Sequence, residues 1–292
     1  MKKNIFLALL SAVVLIVASI SCSKDDNPDG DNGLKTGQVV MKVNPELSGQ
    51  KNLVSFGIQA KEVTIDWGDG TVEIFTPNGD EQEYQHEYAD VNLKEITLNT
   101  ENLTELYVGH DFYANKGNYR ELTFGSCPDL TELYCWHEYI TSIDISKCTA
   151  LQTLWLNGNQ LTSLDVSKCT ELKELEIDDN QLTSLDVSKC TDLQTLWIVQ
   201  NQLTGLDVSK CPDLEVILCD NNQLTSLDVS KCTYIHYLDV ANNKLTASAL
   251  NNLFGTLPIK ASGNHANIYI KNNPGTDECD KSIAENKGWD VY

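Results

Sequence analysis

The 292-residue sequence is short of positive charge, with 21 lysines and arginines against 42 acidic residues and a formal net charge of −21. A surface of that sign repels phosphate, which excludes nucleic acid as a partner. Histidine is scarce as well. The five residues His86, His110, His137, His236 and His265 fall in separate stretches, where each is expected at a surface or an element edge. There is no HExxH for a catalytic zinc, no GxSxG for a nucleophilic serine and no glycine-rich phosphate loop. No CxxC pair or neighbouring histidine accompanies the cysteines, which argues against a zinc site. These absences predict a protein that is not an enzyme and holds no cofactor or metal. The one long apolar run, Ile5 to Ile20, is short for a membrane span and follows Lys2 and Lys3, the order of a secretory signal.

What the sequence has is a repeat. The stretch LQTLWLNGNQLTSLDVSKCTE, Leu151 to Glu171, recurs downstream, and its cysteine returns every 21 residues at Cys148, Cys169, Cys190, Cys211 and Cys232, with Cys127 extending the series backwards. Leucines at the first and fourth positions, an apolar sixth and an asparagine ninth match L-x-x-L-x-L-x-x-N-x-L, met by Leu151, Leu154, Leu156, Asn159 and Leu161. This pattern resembles the leucine-rich repeat family. Leu154 and Leu156 alternate with Trp155, which predicts a short strand with one face inward. Leu161, Leu164 and Val166 form a second extended run on the opposite wall. A single unit cannot cover these residues, so the coils are expected to stack into a solenoid with a cap at each end. The asparagine column Asn159, Asn180, Asn201, Asn222 and Asn243 is expected to satisfy backbone groups in a buried turn.

Taken in order, residues 1–21 read as a lipoprotein signal peptide. Ser19-Ile20-Ser21-Cys22 resembles a bacterial lipobox, which implies acylation at Cys22, and Ser23 to Asp26 resembles the acidic export tag of Bacteroidota-type surface lipoproteins. The implied location is the outer membrane, facing the medium, with the lipid anchor as the only membrane contact. Residues 22–36 are a flexible acidic linker with almost no apolar side chain. Asp25, Asn27, Asp29 and Gly30 imitate an EF-hand loop, but its twelfth position is Thr36 and not a bidentate glutamate, so calcium is not expected.

From 37 to 100 the apolar period becomes two. Val39–Val43, Val54–Ile58, Val63–Trp67, Val72–Phe75, Tyr84–Tyr88 and Glu95–Leu98 predict a small β-sandwich, with Asp69-Gly70 at a hairpin turn. Val63 to Thr71, VTIDWGDGT, with His86-Glu87-Tyr88, resembles the polycystic-kidney-disease (PKD) immunoglobulin-like domain, which implies framework roles for the Asp and His. Residues 101–292 are then the leucine-rich repeat domain with its cap. Its first unit is irregular: Leu103 to Leu130 spans 27 residues, six more than the regular unit. The extra loop around His110 to Tyr119 is either a binding loop or a junction plug. Regular units start at Leu130, Leu151, Leu172, Leu193 and Leu214, and Ile235 opens a sixth that diverges. A helix over Ala249–Leu257 stopped by Pro258, a strand at Ile268 and Ile270, a second helix near Asp277–Asn286, and Trp289 with Val291 close the stack. This tail is similar to the C-terminal caps of Bacteroidota leucine-rich surface lipoproteins. The expected fold is thus a β solenoid with α+β ends.

Ten cysteines would ordinarily suggest disulfides in a secreted chain. Here the cysteines recur as a column whose side chains run parallel, and Cys135 and Cys219 take the inward slot that Leu156 fills elsewhere. Mostly free, buried thiols are expected.

Side chains between the inward leucines face outward on the concave sheet. The candidate ligand-binding residues there are Tyr134, Trp136, Trp155, Glu174, Glu176, Asp178, Trp197, Leu218, Asp220, Tyr237 and Asp239, with Tyr107 and Val216 beside them. Aromatics rimmed by carboxylates mark recognition of another molecule. The resemblance to leucine-rich surface adhesins implies a protein partner outside the cell. Two other readings stay open: a glycan ligand stacked on Trp155 and Trp197, or a spacer with no ligand.

Overall fold

The computed structural model describes residues 34–44, 53–77, 82–90, 92–108, 119–261 and 266–292. The signal segment, Cys22, most of the linker, the insertion up to residue 118 and His265 lie outside the described residues.

Alternation builds the first block. Strands form at β1 (Gln38–Val43), β2 (Leu53–Gln59), β3 (Glu62–Asp66), β4 (Val72–Phe75), β5 (Gln82–Glu87) and β6 (Lys94–Glu101). Val39, Met41, Ile65 and Leu98 from one sheet and Val54, Phe56 and Ile58 from the other are all fully buried, as period-2 patterning requires. The β3–β4 turn is locked by its own motif. Gly70 takes a left-handed φ of 96°, and Trp67 N–H donates to the Thr71 carbonyl at 3.0 Å. The His86 ring stacks on Trp67 at 4.8 Å while its Nε2 lies 2.7 Å from Asp69 Oδ2. Tyr88 then donates its hydroxyl to the Trp67 carbonyl at 2.7 Å, so the two halves of the motif hold each other.

The solenoid follows through β7 (Glu105–Val108), β8 (Tyr119–Phe124), β9 (Glu132–Cys135) and β10 (Ser142–Asp144). Three-residue strands then recur at β11 (Thr153–Trp155), β12 (Glu174–Glu176), β13 (Thr195–Trp197), β14 (Val216–Leu218) and β15 (Tyr237–Asp239). The cap adds α1 (Ala247–Thr256), β16 (Ala266–Tyr269), α2 (Ser282–Glu285) and β17 (Trp289–Val291). Among the described residues β7, β9 and β11 to β17 form one parallel run in which Leu154 pairs with Leu133 and Leu175 without a slip. Leu133, Leu154, Leu175, Leu196, Ile217 and Leu238 therefore fall into one column with no exposure. Burying each such side chain stabilises the stack by about 1.5–3 kcal/mol.

Both walls of the solenoid continue into the first block. The eleven-stranded sheet ends β9-β7-β2-β5, with β2 antiparallel to β7, and the six-stranded sheet runs β10-β8-β1-β6-β3-β4. Hydrogen bonding thus crosses residue 100 on both sheets, although the apolar pattern changes there.

Inside the coils the asparagines act as spacers for backbone groups. Asn180 Oδ1 accepts from Leu161 N–H at 3.0 Å, and its Nδ2 donates to the carbonyls of Leu156, Ile177 and Asp178 at 2.9, 3.2 and 3.1 Å. Asn159, Asn201, Asn222, Asn243 and Asn273 are equally buried. One residue before each, the chain turns left-handed: Gly158, Asp179, Gln200, Asn221, Asn242 and Asn272 all have φ between 53° and 70°. That turn redirects the backbone from the strand to the opposite wall.

The cysteines of the repeat are buried and unbridged. The thiols of Cys190, Cys211 and Cys232 point at the carbonyls of Val166, Val187 and Val208 at 3.7, 3.5 and 3.8 Å, one coil back. Burial pushes Cys169 and Cys211 up to about 11 and Cys190 and Cys232 up to about 12, so the thiolate is suppressed at neutral pH.

The cap helix α1 starts two residues before the sequence reading places it, because Thr246 Oγ1 accepts from Ala249 N–H at 3.2 Å. Leu250, Leu253 and Phe254 turn inward. The second helix is shorter than expected. Asp280 Oδ1 accepts from Ser282 N–H at 3.1 Å, which leaves the preceding residues in turns.

Candidate functional site

The outward face of the long sheet is laid out by strand register. Tyr107 pairs with Tyr134, Tyr134 with Trp155, Trp155 with Glu176, Glu176 with Trp197, Trp197 with Leu218 and Leu218 with Asp239. The column continues through Asp239 to Tyr269 of β16. All eleven candidates lie on this face, and they gather into three groups.

At the N-terminal end the rings touch. Tyr107 stacks on Tyr134 at 4.6 Å, Tyr134 meets Trp155 edge-on at 5.0 Å, and Trp136 lies 5.7 Å from Trp155. Tyr134 donates its hydroxyl to Glu132, and Tyr107 donates to Glu105 Oε2 at 2.8 Å. Burial, reinforced by these carboxylates, raises the Tyr134 phenol well above its ordinary range. The cluster stays neutral and rigid, with half-buried rings facing solvent.

In the middle sits a carboxylate. The sequence reading expects Glu176 to reach solvent, but with an indole on each side it is only 7% exposed. Its Oε2 accepts from Asn157 Nδ2 at 3.0 Å, and burial raises its pKa in spite of that bond. One slot along, Asp178 Oδ1 accepts from Val199 N–H at 2.7 Å. Burial lifts Asp178 to about 7, and the carboxylates of Glu176, Asp179 and Asp220 add to the shift. Asp220 and Asp239 are raised by burial too. Among the described residues none of Glu174, Glu176, Asp178, Asp220 and Asp239 pairs with a lysine or arginine.

The tryptophans themselves are left incomplete. Trp155 Nε1 and Trp197 Nε1 are both shut off from water and have no hydrogen-bond acceptor among the described residues. An N–H in that position has lost its solvation without compensation, at a cost of about 1–3 kcal/mol.

At the C-terminal end Tyr237 packs on Tyr269 at 5.3 Å, and Tyr269 stacks on Tyr292 at 4.9 Å. Tyr269 and Tyr292 escaped the sequence reading. Tyr269 sits between the inward Ile268 and Ile270, the same alternation as Trp155, so the signal was there. It was hidden because the helix breaks the 21-residue spacing after Asn243.

Two clefts, of 240 and 300 Å³, lie around Gly37 to Asp129 and Gly205 to Lys231, and neither takes in the aromatic face. Among the described residues no group of histidine, cysteine and carboxylate side chains converges as a metal site. What the face offers is flat rings, two orphaned donors and buried carboxylates, a combination suited to holding a molecule.

The coils, their asparagines and their single parallel sheet define a leucine-rich repeat solenoid. The family model for leucine-rich repeats matches residues 128–169 and 149–190 in two copies, so the chain carries leucine-rich repeats. Among solved structures it is similar to the functional domain of InlJ from Listeria monocytogenes, described as including a cysteine ladder, with 30% identity over 55% of this chain and 43% of that one, TM-score 0.38. It is also similar to the internalin inlF of that organism, with 22% identity over 59% of this chain and 57% of that one, TM-score 0.45. A third is the internalin C2, with 21% identity over 57% of this chain and 73% of that one, TM-score 0.47. The chain spans less than two thirds of the first two. No curated protein matches the sequence.

Proposed function

We propose that this chain is a cell-surface binding lipoprotein, anchored through Cys22 behind its linker, that holds a protein partner on the outward face of the long sheet. The observation that carries the reading is the aromatic column Tyr107, Tyr134, Trp155 and Trp197, half-buried rings on a face where a structural strand needs none. Leucine-rich repeat domains commonly use this surface to bind proteins, and the large aromatics are the residue types that dominate such contacts. In this reading the first β block is a PKD-like module that serves as spacer and cap, and no residue has a catalytic role.

The partly exposed indoles Trp155 and Trp197 also favour a second reading, glycan capture, since sugar rings stack on flat apolar faces. The test is binding by the full chain to immobilised host matrix proteins and to a glycan array, with a Trp155→Ala, Trp197→Ala variant beside it. Protein capture that survives periodate treatment and is lost in the variant supports the protein reading. Periodate-sensitive capture supports the glycan. Capture unchanged in the variant means the face is a spacer surface.

A further inference from the structure

We propose that the segment this face receives is cationic: an arginine-bearing stretch of polypeptide lying over Glu176 between Trp155 and Trp197. The inference rests on the protein-binding reading and names the chemistry of its partner.

Charge is the first argument. None of the three outward slots on β9 and β11 to β15 carries a lysine or arginine, while Glu132, Glu174, Glu176, Asp178, Asp220 and Asp239 all fall in them. Carboxylates of one sign, desolvated side by side, repel each other, and a cation laid among them would relieve the repulsion. That the carboxyls of Glu176, Asp178, Asp220 and Asp239 are all held above their ordinary range by burial agrees with a site that lacks its counter-charge.

Shape is the second. Strands β11 and β13 are two sheet spacings apart, about 10 Å, which about three residues of extended peptide span. A guanidinium is planar, stacks on an indole and forks onto a carboxylate in the same plane, whereas an ammonium does only part of this. Trp155 and Trp197 flank Glu176 in strand register, so ring and carboxylate stand in neighbouring rungs.

The orphaned donors are the third argument. The indole N–H groups of Trp155 and Trp197 need acceptors that the described residues do not supply. A ring turned toward solvent would present its N–H to a peptide carbonyl. Carbonyls recur along a polypeptide and are missing from a free polyamine or a metal ion. A metal ion is further disfavoured because the described carboxylates do not converge.

The test uses the full chain and a fluorescein-labelled peptide of alternating glycine and arginine, six residues long, read by anisotropy. Its partner probe carries citrulline in place of arginine, the same shape without charge. Glu176→Gln with Asp178→Asn removes two charges from the face. Asp186→Asn with Asp207→Asn removes two from the opposite ridge, where each aspartate accepts from the N–H and the hydroxyl of Ser188 or Ser209, bonds that an asparagine oxygen can also accept. The arginine peptide is expected to bind at least about tenfold more tightly than the citrulline peptide, to lose about tenfold in the face variant and in Trp155→Ala, and to change less than about twofold in the ridge variant. Circular dichroism checks that each variant is folded. Equal losses in the face and ridge variants would reduce the effect to the general pull of an acidic protein and overturn the proposal, as would indifference to Trp155→Ala. If arrayed proteins are captured through Trp155 and Trp197 while the arginine peptide shows no dependence on the face, this inference fails and the protein-binding reading stands. Array capture without any dependence on the two tryptophans fails the reading itself.

Discussion

At the scale of single residues, Asn180 and Asp178, two side chains of one coil, show how the same repeat gains stability at one slot and gives it up at another. Asn180 bonds four backbone groups. It shares the Leu156 carbonyl with Asn159 and the Ile177 carbonyl with Asn201, and the Asp178 carbonyl also accepts from Gly158 N–H, so Leu161 N–H is the group that depends on Asn180. Asn180→Ala leaves that N–H buried and unpaired and takes one of two donors from each carbonyl, so the expected loss is about 1–3 kcal/mol. Asn180→Asp keeps the acceptor for Leu161 N–H but sets its second carboxylate oxygen against three carbonyls, so it should recover little of that loss. Urea denaturation of the two variants measures both. Asp178 works against stability instead. Its folded pKa, raised to about 7 chiefly by burial, lies above the unfolded value, so the folded state binds the extra proton between the two. The stability this contributes is complete below about pH 4 and is lost as pH rises through about 7. Asp178→Asn should therefore raise the melting temperature by on the order of 2 °C at pH 8 and leave it nearly unchanged at pH 4. The substitution has a precedent in the preceding coil, where Asn157 Oδ1 accepts from Asp178 N–H at 3.1 Å as Asp178 Oδ1 does from Val199. An equal gain at both pH values would assign the effect to packing and not to the charge.

At the scale of an element, each coil is a strand, a left-handed turn, an opposite wall and a cysteine corner. Most of this was legible, because the residues that cannot be exchanged are the ones that repeat. Leu154 and Leu156 revealed the inward face, Asn159 the buried turn, and the parallel run of cysteines the absence of bridges. The outward slots were legible as positions, since alternation fixes which side chains leave the core. Their environment was not. Glu176 looks solvated in the sequence and becomes buried only because its register partners two coils apart are both tryptophan. Tyr269 and Tyr292 stayed hidden because α1 lengthens the last coil and shifts the count. The cysteine corners make a separate prediction. With burial raising the thiols of Cys169, Cys190, Cys211 and Cys232, and with Cys127, lowered by its hydrogen bond with Cys148, buried like the rest of the column, a thiol reagent at pH 8 should react quickly only with the partly exposed Cys279 in the native protein. After denaturation without reductant, all nine described cysteines should react. A single reactive thiol at that stage would mean the column is bridged.

At the scale of the whole molecule, the first β block and the solenoid are joined as one set of sheets. A solenoid of stacked coils has an open end wherever the stack stops, with a bare strand edge and an uncovered core. At the C-terminal end β17 and Trp289 close it, the indole donating to the Pro258 carbonyl at 2.9 Å. At the N-terminal end the closure comes from reversing strand direction. β2 runs antiparallel to β7, so the backbone groups that would template another coil are already paired, and β1 covers β8 in the same way on the other wall. The burial of Leu106, Val108, Leu122 and Phe124 depends on that cover. A chain shortened to begin at Asn102 would expose those side chains and both strand edges together. It should self-associate, appearing as oligomers or aggregate by size exclusion with light scattering, while a chain begun at Leu34 should remain monomeric. Replacing Leu106 and Phe124 by polar residues in the shortened chain would not rescue it, because the unpaired edge of β7 remains. A monomeric shortened chain with a sharp unfolding transition would show that the first block is a passenger, and that the solenoid closes its own end.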